Sequence, residues 1–347
     1  MQSTISKNLK FLHEDLIRWR NRRSQSVAYI KERLFQLSQR HSGLLIFEVK
    51  DGEVLLNNSV QQSNASLLYR SGVYLDFFRT VFMEFGRNKH YTFGFYVDDN
   101  DLHNADFPIF SFQKHRTSDN ILLPDIDFFL YDFYESSDCL DAIPFSEKAC
   151  GAVFVGSTTG APLTIKDGEP LRTISEKLLL ESRIPRINSA LNFRGSSNIY
   201  FDLPVIVQSD GERTTNKLVA MGFGSGKKLS LKDQLKYKFI LSMDGNGATC
   251  ARVVTALKSQ SVLMKYKSDS MLYYFSALHP WQHYIPIDND AEVADYLLQE
   301  NENPGLFQEI AYNSQRFQQE HLNRQCIICY TKAAFEIYEN FITRTDV

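Results

Sequence analysis

The sequence predicts an α/β protein built from two domains. Short apolar strands alternate with amphipathic helical segments along most of the chain, and those strands end in polar or glycine-rich loops. At 347 residues the chain is also longer than one simple core requires. With 43% hydrophobic and 23% charged residues, 17 Gly and 10 Pro, it fits a folded protein and excludes disordered, collagen-like and disulfide-framework classes. The 38 basic and 41 acidic residues nearly cancel, so no global field points to nucleic acid. Five scattered cysteines (Cys139, Cys150, Cys250, Cys326, Cys329) argue for a reducing compartment. No apolar run reaches signal-peptide or transmembrane length, and the expectation is a cytoplasmic protein.

Residues 9–37 place Leu9, Leu12, Leu16, Trp19, Val27, Ile30, Leu34 and Leu37 at helical spacing, with a break near Ser24–Ser26. Residues 1–40 hold nine Lys/Arg against three Asp/Glu, a local charge of +6 on an otherwise acidic body. Two readings stand: a solvated helix face, or a peripheral contact with an anionic inner membrane. SGLLIFEVKDGEVLLN reads as a hairpin turning at Lys50-Asp51-Gly52-Glu53. A helix is expected near Val73–Phe85, then a buried strand YTFGFYV running into Asp98, Asp99 and Asp101, and a short strand PIFSF. GAVFVGSTTG opens a second domain as a strand and small-residue loop. KYKFILSMDGNGATCARVVTALKSQSVLMKY reads as strand, Gly-rich turn, helix, strand: a βαβ unit. HYIPI is a further strand, DNDAEVADYLLQ a helix capped by Asp290, and the last fifty residues read as helical. The domain boundary falls near residue 148.

Three constellations carry candidate chemistry. In the turn Asp244-Gly245-Asn246-Gly247-Ala248-Thr249, glycine lets the backbone approach a ligand, and helix-start N–H groups favour an anion such as a diphosphate. A tight βα turn needing glycine for positive φ explains the same residues equally well. Arg252, about one turn on, can pair with phosphate in a two-pronged way. The loop Gly156-Ser157-Thr158-Thr159-Gly160 offers hydroxyls to phosphate or sugar oxygens. At the third, Asp99 suits a general base at a strand end, while Asp99-x-Asp101 also allows a metal bound with phosphates, and solvated loop carboxylates account for both. His279 and His283 bracket Pro280, which discourages the helical turn a metal pair needs. Cys326-Ile-Ile-Cys329 lacks a second pair and reads as packing.

At HPWQHYIPI, preceded by the βαβ segment, the chain resembles glycosyltransferase family 90, from about Tyr91 onward. GSTTG, Pro185-Arg186, the Ile310, Ala311, Gln315, Phe317 pattern and Cys329-Tyr330 match as well. The resemblance implies a GT-B architecture: two Rossmann-like domains facing across a cleft, with a carboxyl-terminal helix crossing back. The expected division is 1–148 on the acceptor side, 149–330 binding the nucleotide sugar, and 331–347 as the returning helix. It further implies an inverting transferase using UDP-glucose or UDP-xylose without an essential metal or other cofactor, and a capsule or lipopolysaccharide hydroxyl as acceptor. Asp99 matches the family's catalytic base and Arg252 its diphosphate arginine. Gly245, Asn246, Gly247, Thr249, Gly156, Ser157 and Thr158 are expected to line the diphosphate, with Arg186, Arg194, Asp101 and His283 in support. Val155 stands where many relatives have Arg, so that a phosphate contact is lost or passes to a residue such as Arg194. Two other classes remain: a non-catalytic sugar- or nucleotide-binding protein on the same scaffold, and a metal-dependent transferase using Asp99 and Asp101.

Overall fold

The computed structural model describes residues 19, 24–57, 65–85, 88–99, 102, 106–136, 140–166 and 169–343. Most of the basic amino-terminal stretch, and Asp101, lie outside the described residues. The chain forms two compact units. The first comprises Met1–Ser136, Asp269–Ala277 and Glu320–Val347, and the second Ser137–Ser268 and Leu278–Gln319.

In the first unit, α1 (Val27–Ser38) starts where Ser26 Oγ accepts from the Tyr29 N–H, placing the expected break at the helix start. β1 (Leu44–Lys50) and β2 (Glu53–Leu56) form the expected hairpin, closed by Asp51 and Gly52 at φ 53° and 92°. α2 runs Ala65–Phe85, eight residues longer at its start than the sequence reading. β3 (His90–Tyr96) is buried on both faces, which is why it is apolar without alternation. β4 (Phe110–Ser111) and β5 (Ile121–Leu122) complete a sheet of order β2-β1-β3-β4-β5. β3, β4 and β5 are parallel, while β1 is antiparallel to both its neighbours. A Cβ on Gly94 would sit 2.4 Å from Leu34 Cδ2, so the glycine in YTFGF lets α1 lie close on the sheet.

Two later segments complete this unit. Ser270–Met271 pairs antiparallel with Lys114–His115, and Tyr273 packs on Tyr330 with ring centroids 4.6 Å apart. In the C-terminal helix Arg324–Thr343, Phe335 packs edge-on to Phe93 at 4.7 Å, and Tyr338 donates 2.6 Å to the Thr92 carbonyl. That helix begins at 324, where the sequence reading began it at 331.

In the second unit five strands form an all-parallel sheet. They are β6 (Ala149–Ser157), β7 (Ile199–Val205), β8 (Tyr237–Ser242), β9 (Val262–Tyr266) and β10 (Ile285–Ile287), ordered β7-β6-β8-β9-β10. Its helices include α3 (Pro185–Asn192), α4 (Cys250–Lys258), α5 (Asp290–Glu302) and α6 (Gln308–His321). The βαβ unit read from the sequence is β8, α4 and β9. α5 is capped by Asn289, whose side chain accepts from the Ala291 N–H, not by Asp290. The Asp290 carboxylate instead accepts from Ser189, Asn192 and Tyr266 at 2.6–2.8 Å, tying α3 and β9 to the start of α5. The expected boundary at 148 shifts to 136/137, because residues 140–148 are anchored here. The buried Lys148 ammonium donates to Asp141 at 2.7 Å and to the Leu235 carbonyl, and Asp141 also accepts from the Gln260 N–H at 2.8 Å.

Candidate functional site

Strand order in the second sheet reverses between β6 and β8, neighbours that lead to chain segments on opposite sides. Loops beyond the carboxyl ends of such a pair splay apart and leave a crevice where ligands bind in α/β sheets. The two sequence-predicted loops, 156–160 after β6 and 244–249 after β8, occupy this position.

Arg186, from the first turn of α3, straps the two strand ends together. Its Nε donates to the Asp244 carbonyl at 3.0 Å and its Nη2 to the Met243 carbonyl at 2.9 Å. Its Nη1 reaches the Ser157 carbonyl at 3.2 Å and Thr159 Oγ1 at 2.7 Å. Arg252, from α4, lies with its guanidinium carbon 4.0 Å from the Phe154 ring centroid, and that of Arg186 lies 5.2 Å from the same centroid. Arg252 Nη2 donates to the Val155 carbonyl. Its Nη1 is shielded from solvent and has no hydrogen-bond partner among the described residues. Asn246 Oδ1 is left in the same condition.

The electrostatics follow from this crowding. Burial pushes Arg252 down to about 9, with the Arg186 charge acting in the same direction. Burial pushes Arg186 down to about 10, opposed by the Asp244 carboxylate, which accepts from the Ser268 hydroxyl. The Asp244 carboxylate thus favours the Arg186 charge, whereas the charge that acts on Arg252 is the like charge of Arg186. A buried donor without a partner costs about 1–3 kcal/mol, and more when it is charged. An anion brought to Arg252 Nη1 would remove that cost.

The other predicted residues separate into distinct roles. The Thr158 hydroxyl bridges the Val207 carbonyl at 3.0 Å and N–H at 2.9 Å, so it serves the backbone and does not face the arginines. Its neighbour Thr159, one of the loop hydroxyls the sequence offers to phosphate or sugar, instead accepts from Arg186. Ser157 Oγ lies 3.4 Å from Thr159 Oγ1. A Cβ on Gly156 would come 2.8 Å from the Phe154 ring, and one on Gly245 2.5 Å from Thr159 Oγ1 and 2.9 Å from Arg186 Nη2. The glycines are therefore needed for close packing around the arginines. The Gly245 N–H donates to the Gly247 carbonyl at 3.1 Å, inside the loop. Thr249 Oγ1 donates to the Met243 carbonyl at 3.3 Å and accepts from Ser242 at 3.1 Å. Arg194 is exposed and donates to the Met221 carbonyl, and among the described residues it shares no partner with Arg186 or Arg252. His283 packs on Phe317 at 5.0 Å, and its Nδ1 accepts from the His279 N–H at 3.0 Å, which gives the ring a packing role.

In the first unit, Asp99 lies just beyond the carboxyl end of β3. Arg70 of α2 donates through Nη1 to Asp99 Oδ1 at 2.8 Å and to the Val97 carbonyl at 3.0 Å, with Phe112 5.6 Å from its guanidinium. Gln113 Nε2 holds the Asp99 carbonyl at 2.8 Å. Burial works against the Arg70 charge, but Asp99 outweighs it and leaves the guanidinium above its ordinary value. One carboxylate oxygen is thus fixed, and Asp99 Oδ2 has no partner among the described residues. Arg70 and Gln113 carried no sequence signal, since both lie outside the loop motif they support.

Residues 208–346 match the family model described as Glycosyl transferase family 90. The chain is similar to Protein O-glucosyltransferase 1 of Homo sapiens, 28% identical over 169 residues, which cover 45% of this chain and 43% of the relative. It is similar to Protein O-glucosyltransferase 2 of Danio rerio, 29% identical over 113 residues, 32% of this chain and 22% of the relative. It also resembles O-glucosyltransferase rumi of Drosophila pseudoobscura pseudoobscura, 28% identical over 119 residues, 33% of this chain and 29% of the relative. The chain thus spans less than half the length of these curated relatives. The family match takes in the 244–249 loop and Arg252, while Asp99, Arg186 and the 156–160 loop precede it.

Proposed function

Since residues 208–346 match the model of glycosyl transferase family 90, we propose that the protein is an inverting glycosyltransferase. It moves a sugar, glucose or xylose, from a UDP-sugar to a hydroxyl of a surface polysaccharide or lipopolysaccharide in the cytoplasm. The observation that carries this reading is the pair of guanidiniums at the β6–β8 reversal, one of them with an unpartnered Nη1. Their positive charge suits a diphosphate leaving group without recourse to a metal. The two α/β units correspond, in this reading, to the two halves of a GT-B enzyme.

Arg186 acts as the strap that fixes both loops, and Arg252 as the phosphate ligand. Asp99 is the base, its free oxygen held in one orientation by Arg70. The acceptor hydroxyl passes its proton to Asp99, and its oxygen forms the new bond to the anomeric carbon. The bond from that carbon to the diphosphate oxygen breaks, and its electron pair leaves with UDP. Attack from the face opposite the diphosphate inverts the anomeric centre. Negative charge grows on the leaving oxygen as this happens, and a fixed guanidinium shielded from water stabilises it by several kcal/mol on the scale seen for such groups.

Calorimetry with UDP and uridine tests this assignment. Arg252→Ala is expected to weaken UDP by about 1.5–3 kcal/mol, the value of a charged hydrogen bond, while uridine binding stays nearly constant. Arg252→Lys keeps the charge, loses the planar fork, and should fall between. Equal losses for both ligands, or a lower melting temperature with unchanged UDP affinity, would make Arg252 a structural residue.

A further inference from the structure

The hydrogen-bond inventory of the crevice contains two orphans of opposite kind. Arg252 Nη1 is a charged donor that needs an acceptor, and phosphate oxygens supply one. Asn246 Oδ1 is a buried acceptor, and phosphate oxygens cannot satisfy it, because a fully ionised diphosphate has no hydrogen to give. The N–H of neighbouring Gly245 is already held by the Gly247 carbonyl, so Asn246 sits at the tip of a closed turn. That turn lies against Thr159 and Arg186: the space a Gly245 Cβ would need is filled by Thr159 Oγ1 and Arg186 Nη2. The turn is therefore held by the same residues that build the proposed anion site.

We infer that Asn246 is a specificity residue whose Oδ1 accepts a hydrogen bond from an O–H or N–H of the ligand close to its phosphates. The inference rests on the anion site proposed above and sharpens it. The site selects a phosphate ester carrying a donor group, such as a nucleoside diphosphate sugar, over a bare polyphosphate. It also moves Asn246 out of the diphosphate-lining role expected from sequence. A donor of this kind is either a hydroxyl of the transferred sugar or a ribose or base group of the nucleoside, and binding experiments separate the two.

The full chain and its Asn246→Ala and Asn246→Leu variants are titrated at pH 8 with pyrophosphate in the form of its P1,P2-dimethyl diester, which has no P–OH, and with UDP and UDP-glucose, with Arg252→Ala alongside. A single neutral hydrogen bond predicts a loss of about 3- to 10-fold in affinity for the donor-bearing ligand and none for pyrophosphate. Loss confined to UDP-glucose places the donor on the sugar, and equal loss for UDP and UDP-glucose places it on the nucleoside. Either result supports the inference. If both Asn246 variants bind all three ligands as the parent does, or lose pyrophosphate as strongly as UDP-glucose, the inference falls. In either case Arg252→Ala reports separately on the anion site, because it must weaken pyrophosphate and UDP if that site exists. Thermal melts identify a variant whose loop has collapsed, and the Asn246→Ala variant, which inserts no new bulk, then decides.

Discussion

Arg186 and Arg252 lie over the same phenyl ring, yet their neighbours give them different work. Four hydrogen bonds engage Arg186 with the chain itself, whereas Arg252 keeps a buried nitrogen, Nη1, unmatched among the described residues. Asp99 shows the same division within one carboxylate, one oxygen held by Arg70 and the other without a partner among the described residues. Asp99→Asn should lower turnover by roughly 10²–10⁴ while leaving UDP affinity unchanged, which steady-state kinetics and calorimetry check together. Asp125 behaves differently. Burial, and then the Asp127 charge, raises its carboxyl well above the ordinary range; the Asp127 N–H that donates to it at 3.1 Å is outweighed, and buried Tyr273 lies within electrostatic reach. A raised folded-state value makes its contribution fullest below the unfolded value near 4 and diminishes it as pH rises through the folded value. Asp125→Asn cannot ionise, so its melting temperature relative to the parent should improve steadily from pH 4 to pH 8. A constant difference across that range would show that Asp125 does not titrate there.

At the scale of elements, the site is a consequence of strand order. β6 and β8 are separated by nearly eighty residues of sequence but are bonded neighbours in the sheet, so their loops meet. Glycine decides how closely they meet. In Gly245→Ala the methyl must displace Thr159 or Arg186, since it would lie 2.5 Å and 2.9 Å from their side-chain atoms. An overpacking cost of about 1–3 kcal/mol is expected, with UDP binding weakened as the strap shifts. Thermal unfolding and UDP titration measure the two effects, and a variant equal to the parent in both would mean the loops yield freely. Gly160, at φ +109°, is needed for a different reason, its backbone conformation.

At the scale of the whole molecule, the first unit is assembled from three separate stretches of chain. Phe335, Tyr338 and Tyr330 of the C-terminal helix are buried against β3, β4 and Tyr273. Removing residues 320–347 should therefore abolish cooperative unfolding of the first unit and expose it to limited proteolysis, while the fragment 140–268 remains protected. Undiminished protection of both would show that the helix is dispensable. None of the described helices is long and apolar enough to cross a membrane. The sequence by itself determined the α/β class, the hairpin, the buried strand before Asp99, the βαβ unit and the two small-residue loops. Apolar periodicity and glycine placement are local properties that a single segment expresses alone. Only the tertiary structure decided that Thr158 serves Val207, 49 residues away, while Thr159 holds Arg186. Tertiary packing likewise chose which arginine is left open, and joined the last helix to the first sheet. Those outcomes depend on which polar groups remain to be satisfied once distant segments have packed, and no run of neighbouring residues carries that information.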